Sequence, residues 1–489
     1  MAFSDQLPNG KFDVAILDLM SRIKSCPEYI HTVKQLLQFI TYPIIEYLQT
    51  EGLYGVYVVV DKGSPPVKQL QCHGKRDKDN EPMPDDTPLD LEDELPQPWK
   101  NFIANRKLVR TKLYPLIFDA IINSEDYVPL GYRQWVVVDG LPSAESQDTR
   151  HNTWIRERRG NESIRQALPR LNNAILEADT GVLFFLDEHR QPHKATDGSL
   201  VPQRIIIHMN DGDIIPIALL NSFDRMSTET GTFLNEVYLC LPGNPDHTYV
   251  NVNLLFALIQ EDQQMKQCAV QNPVLTICCL IALAGNDFVV DYCKGLSKAW
   301  IDASKKKSAR LGVVWDTFFK QAKTFSHVFQ WQVAVPGLHR KIRLPVFDEH
   351  GFKTFTYACY AAMYKDRVVK KHGQLTLNTL RLYCSQLKSD GYAIPHSNKL
   401  RRILRWVEWN MVYWLNSHRP NCEGFIDPYQ LHEGASYYGF AKDPSSNKCA
   451  HARVLASARK ADDNYTQHWR KRKTNDNDNS SKRIKTATK

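Results

Sequence analysis

Val14-Ala15-Ile16-Leu17-Asp18 is a short β-branched apolar run that stops on a carboxylate, and the same grammar returns along the chain. Val56-Tyr57-Val58-Val59-Val60 ends on Asp61, with Lys62-Gly63 behind it. Arg204-Ile205-Ile206-Ile207-His208-Met209-Asn210 leads into Asp211 and Asp213. Glu177 and Asp179 sit in Ile175-Leu176-Glu177-Ala178-Asp179, and Asp287 follows Leu280-Ile281-Ala282-Leu283-Ala284-Gly285-Asn286. In an α/β chain, carboxylates at strand ends converge at one edge of a parallel sheet, where ligands bind. Seven carboxylates gathered in one place repel unless cations neutralise them, and an oxygen-only donor set is what Mg²⁺ or Mn²⁺ prefers.

The runs between these acids alternate with longer helical periodicity. Strands are expected over 12–18, 54–61, 133–139, 203–210 and 235–241, and helices over 28–49, 99–123, 161–187, 252–266 and 273–284. Alternation of this kind predicts an α/β fold with a mostly parallel sheet flanked by helices. Residues 352–416 read as helical and aromatic-rich. The helix expected near Lys399–Leu415 sets Lys399, Arg401, Arg402 and Arg405 against an apolar stripe of Leu400, Leu404, Val407, Met411 and Trp414.

With 489 residues, 43% of them hydrophobic, the chain can bury a sizeable core in two or three domains. The net charge of +8 is concentrated in residues 450–489, where eleven Lys/Arg face four Asp. The rest is nearly neutral, so a nucleic-acid partner must be argued from local patches. The eleven cysteines include no CxxC pair, which argues against a disulfide framework or a zinc site. The first residues lack the features of a signal peptide, and the longest apolar run, near Val274–Ala284, is too short to span a bilayer. The expectation is a soluble intracellular protein.

Two segments change character. Residues 79–98 hold eight Asp/Glu, five Pro and no Lys or Arg, and read as a mobile loop. Trp99–Tyr114 reverses the sign, with Lys100, Arg106, Lys107, Arg110 and Lys112 interleaved with Phe102, Ile103, Leu108 and Leu113. The acidic loop is expected to fold against this helix. After about 455 the chain is polar and reads as a disordered tail. Its Arg470, Lys471, Arg472, Lys473 and Lys482, Arg483, Lys485 form two basic clusters, the pattern of a bipartite nuclear-localisation signal or a nucleic-acid arm.

The order of the acidic motifs resembles the flap endonuclease/XPG superfamily of 5′ nucleases, over about residues 10–310. Asp18 comes first, then Asp61 with Pro65-Pro66-Val67-Lys68, then Glu177-Ala178-Asp179, Asp211-Gly212-Asp213 and Gly285-Asn286-Asp287-Phe288. The resemblance implies a PIN-like (flap endonuclease-like) nuclease domain at 10–340 with an arch-like insertion at 73–130. A helical accessory module at 341–455 and the basic tail at 456–489 would follow. It implies two Mg²⁺ ions, with Mn²⁺ able to substitute. Asp18, Asp61, Glu177 and Asp179 would hold the ion nearer the nucleophile, and Asp211, Asp213 and Asp287 would surround the second. Lys68 and Arg76 would contact the scissile phosphate. Lys75, Arg106, Lys107, Arg110, Lys305, Lys306 and Lys307 would contact nucleic acid, with DNA ahead of RNA. A nuclear setting and an import receptor for the tail complete the expectation.

This chain departs from the family pattern at several points. Asp179 stands where the family usually has Glu, the prolines after Asp61 are shifted by one, and Lys294-Gly295-Leu296-Ser297 replaces a Gly-rich hairpin. The Gly285-Asn286-Asp287-Phe288 form also looks like the Xrn-type 5′ exoribonucleases, so an RNA-directed endo- or exoribonuclease is the nearest rival. A catalytically idle PIN-like scaffold that binds nucleic acid or protein is the rival of another class. His189 and His193 share helical spacing but read as a surface loop, and Asp139-Gly140 reads as a structural strand end.

Overall fold

The computed structural model describes residues 2–6, 8–63, 82–141, 150–190, 193–194, 200–227, 230–241, 247–263, 266, 272–283, 332–334, 341–343, 364, 366–386, 397–416 and 418. The chain divides into two compact units. The first comprises 1–282, 329–345 and 410–426, and the second 283–328, 346–409 and 427–489.

The first unit is built on a nine-stranded sheet. Its strands are β1 Phe3–Ser4, β2 Val14–Asp18, β3 Gly55–Val59, β4 Trp135–Val138, β5 Trp154–Arg159 and β6 Glu162–Ala167. After a small separate hairpin of β7 His193–Lys194 and β8 Leu200–Val201 come β9 Gln203–His208, β10 Asn235–Leu241 and β11 Thr248–Asn251. The order across the sheet is β1-β11-β10-β9-β2-β3-β4-β5-β6. The five central strands β10, β9, β2, β3 and β4 are parallel, and the two strands on each flank are antiparallel. The α/β expectation therefore holds with a mixed sheet, parallel at its centre. The five strands expected from sequence are all present, β10 with the bounds read and the other four slightly shorter.

The parallel centre follows from composition. β2 and β3 are buried at every position, as strands covered on both faces must be. On one face lie Ala15 and Leu17, Val56 and Val58, Val136 and Val138, Ile206, Tyr238 and Cys240, in one core cluster with the helix Val33–Ile45 and the helical stretch 106–123. The opposite face meets the helix Ala178–Asp187, where Tyr57 packs on Phe185 with ring centroids 4.9 Å apart. Gly181 of that helix lies so close to Val59 that an added Cβ would sit 2.9 Å from Val59 Cγ1.

Two expectations are corrected. The segment 161–187 is not one helix: Arg159 and Glu162 are the last pair of a hairpin, with Gly160 at φ +60° in the turn. A 3-10 turn at Pro169–Leu171 follows, and the helix starts only at Ala178. Gly160-Asn161 is a two-residue hairpin turn signal, and it overrides the weak helical period around it. Nor is the acidic stretch wholly free of the core. Leu89 and Leu95 are buried in it, Leu95 donates its N–H to the His31 carbonyl, and Thr32 bridges Glu94. The basic stretch beyond it is helical over Trp99–Ala104 and 106–123, with Phe102, Leu108, Leu113 and Ile117 buried as its amphipathic period requires.

Beyond the sheet, Pro273–Leu283 is helical with Cys278 and Cys279 buried, as expected of core cysteines. In the second unit Leu377–Ser385 is helical and begins on a Thr376 capping box. The helix Ser397–Asn416 crosses the division of the chain. From Trp406 to Asn416 it is buried all round, where the sequence suggested one apolar stripe.

Candidate functional site at the carboxyl edge of the sheet

Parallel strands aim their carboxyl ends the same way, so β9, β2, β3 and β4 deliver Asp211, Asp18, Asp61 and Asp139 to one edge. The chain runs from β2 through β3 to β4 on one side and returns to β9 on the other. The gap between β2 and β9 is thus a topological switch point, where α/β sheets open a crevice for ligands.

Asp18 is buried at the end of β2. Its carboxylate accepts the N–H groups of Met20 at 2.9 Å and Ser21 at 3.2 Å, capping the helix Leu19–Lys24, and also the Ser21 hydroxyl. The Ser21 oxygen in turn accepts the Asn210 N–H at 3.0 Å, tying β2 to the turn that carries Asp211. Asp211 accepts the Asp213 N–H at 3.0 Å, and Asp213 immediately precedes the helix Ile214–Asn221. Gly63, two residues past Asp61, donates its N–H to the Leu176 carbonyl at 2.9 Å. That bond brings the loop after β3 beside Glu177 and Asp179, which open the helix Ala178–Asp187. Glu177 is buried and accepts the Tyr413 hydroxyl at 3.4 Å.

The electrostatics match a crowd of acids. Burial raises the Asp18 carboxyl above its ordinary range, and the Asp61 charge pushes it the same way, against Ser21, Lys24 and Met20. Asp61 is partly exposed, with Arg106 Nη1 3.8 Å away. Arg106 therefore stands at the acidic edge. Lys107 instead turns to Asp85, at 2.7 Å, and Asp85 also accepts Asn105 Nδ2 at 2.8 Å. The acidic stretch thus touches the basic helix through Asp85. Arg110 lies in the π turn Val109–Leu113 that continues it.

Six of the seven predicted metal carboxylates thus occupy strand ends or helix starts at this edge. Asp287, Lys68, Lys75, Arg76, Lys305, Lys306, Lys307 and the tail cations from Arg470 to Lys485 lie outside the described residues.

Three features were missed by sequence reading. Asp139 and Lys62 form a buried pair at 2.8 Å, and Asn173 bonds to both. Burial outweighs the Lys62 ammonium, so the Asp139 carboxyl is raised. The sequence singles out Asp139 as a structural strand end; what it does not announce is Lys62 as the partner. His189 is no surface-loop residue: it stacks on Trp135 and bonds to Tyr57 and Gln203. Lastly, the ligand atoms of His208, Cys240 and His247 lie within 4.8 Å of one another. No local spacing announces that cluster, because strand register assembles it.

The fold and this edge define an α/β protein with carboxylates gathered at a sheet switch point. The chain matches no family model and no curated protein. No helix among the described residues is long and apolar enough to cross a membrane.

Proposed function

We propose that this chain is a metal-dependent phosphodiesterase acting on nucleic acid, of the flap endonuclease/XPG type with a PIN-like domain. The observation that carries the reading is the meeting of Asp18, Asp61, Asp211 and Asp213 with Glu177 and Asp179 at one carboxyl edge. The donor set fits hard divalent ions: it is all oxygen, and its buried Asp18 is raised first by burial and further by the Asp61 charge, both of which a cation would offset. Bound there, a pair of Mg²⁺ ions would polarise the scissile phosphate and lower the pKa of the attacking water.

The chain's own residues supply the rest. Asp18, Asp61, Glu177 and Asp179 would hold one ion, and Asp211, Asp213 and Asp287 the other. Ser21 fixes the Asp18 rotamer and, through Asn210, the Asp211 turn, so the two sides of the crevice keep their spacing. Lys68 and Arg76 would bind the phosphate. Arg106, beside Asp61, is placed to offset charge on a phosphate entering the edge, with Lys107 and Arg110 following the strand. The tail is proposed as a nuclear-localisation signal.

DNA is the preferred substrate class. The Gly285-Asn286-Asp287-Phe288 form supports an RNA-directed member as the second reading. A panel of 5′-labelled flaps, nicks, duplexes and single strands, in DNA and RNA with Mg²⁺, tests both. Cleavage of DNA flaps ahead of RNA is expected. Preference for RNA single strands would move the assignment to the ribonuclease branch, and no cleavage of any substrate would leave the idle scaffold.

A further inference from the structure

A second cluster of ligand-bearing side chains lies near the same carboxyl end of the sheet, on the face opposite to that of Asp18. His208 of β9 pairs with Cys240 of β10 across parallel strands, so the two side chains share a face. Cys240 pairs in turn with Tyr249 of β11, and His247 stands two residues before Tyr249. Three adjacent strands thus bring two imidazoles and a thiol together, with every pair of ligand atoms within 4.8 Å. Cys240 is buried, His208 half-buried and His247 exposed. The face is that of the helix Val33–Ile45, since Tyr238 and Cys240 belong to that core. Asp18 pairs with Val59, whose side chain meets Gly181 on the opposite face.

We propose that His208, Cys240 and His247 form a binding site for a borderline-soft divalent ion of the zinc class, distinct from the acidic edge. Nitrogen and sulfur ligands select such ions and are poor partners for Mg²⁺. Tetrahedral zinc, with bonds of about 2.0–2.3 Å, sets its ligands roughly 3.5 Å apart. The cluster therefore needs to close by about an ångström, and the exposed His247 is free to supply that movement. The two strand residues provide a stiff base. The Tyr47 and Tyr249 hydroxyls lie against the Cys240 sulfur and would donate to it as a thiolate, the outer-shell support that metal sites employ. Binding would release the thiol proton to solvent, with no change of oxidation state. Three protein ligands leave the fourth position, on the His247 side, to water.

Cobalt substitution in the full chain, stripped of metal by chelator, tests the site. A thiolate-to-cobalt charge-transfer band should saturate at one ion per chain and be displaced by zinc. Cys240→Ser should abolish the band. His247→Ala, at an exposed position that leaves the core intact, should weaken zinc binding in chelator competition by more than about 100-fold, beyond the loss typical of an outer-shell partner. Asp211→Asn should leave the band unchanged. A folded wild-type chain without the band, a band that survives Cys240→Ser, or unaltered zinc affinity in His247→Ala would overturn the site. Loss of the band in Asp211→Asn would overturn its independence from the acidic edge.

Discussion

At the scale of single residues, the acidic edge stores unfavourable charge. Asp18 and Asp139 are both raised on folding, so each contributes stability while protonated and loses it as pH climbs from the ordinary 3.8 through its raised value. Without divalent ions, the wild-type urea midpoint should fall over that window, and Asp18→Asn should flatten the slope. An identical slope in the variant would mean that Asp18 is not the strained group. Mg²⁺ should restore stability to the wild type by about 2.7 kcal/mol at a hundredfold excess over its Kd, and do so far less in Asp211→Asn. The buried Lys62–Asp139 pair makes a separate prediction. Lys62→Ala strands a carboxylate and should cost ~3–5 kcal/mol, whereas an apolar replacement of both partners should come close to neutral. Equal losses in the single and double variants would contradict it.

At the scale of elements, the stretch 82–98 is a packed strap with an acidic outer surface. Leu95→Ala should therefore destabilise the fold by ~2–5 kcal/mol, as truncation of a buried leucine does, and a loss near zero would return the stretch to the status of a linker. Asp85→Asn should remove the acidic contact at Lys107 and raise affinity for single-stranded nucleic acid a few-fold at low salt, an effect that added salt removes. Unchanged affinity across a salt series would show that the contact does not compete with substrate. The five central strands are legible because burial leaves short apolar runs, β-branched at the core of β2, β3, β4 and β9 and mixed in β10. The sequence hid the hairpin β5–β6, since Trp154–Arg159 and Glu162–Ala167 carry charged outer positions that blur a period of two. It hid the packing of Leu89 and Leu95 because three leucines among eight acids do not alter a compositional reading. Asp18, Asp61 and Asp211 were legible as strand-end carboxylates because each follows its own apolar run, whereas Glu177 and Asp179 stand at a helix start. The His208–Cys240–His247 cluster was not legible, because residues 32 positions apart meet only through strand register.

At the scale of the whole molecule, the folded units and the basic tail should separate in function. A chain truncated at Asn464 should fold, retain turnover on a short substrate under saturation, and lose nuclear accumulation in cells. Accumulation that persists would rule out the localisation signal, and a collapse of turnover would make the tail part of the active unit. The central claim is that carboxylates from separate strands act together, through divalent ions, on a phosphodiester. The most direct measurement is single-turnover cleavage of a 5′-labelled flap by wild type and Asp211→Asn across a Mg²⁺ titration, with substrate binding followed in parallel. The account predicts Mg²⁺-dependent cleavage by the wild type. It predicts none by the variant at any Mg²⁺ concentration, with binding by the variant equal or tighter, because one repelling charge is gone. Near wild-type turnover by Asp211→Asn at saturating Mg²⁺ would contradict it.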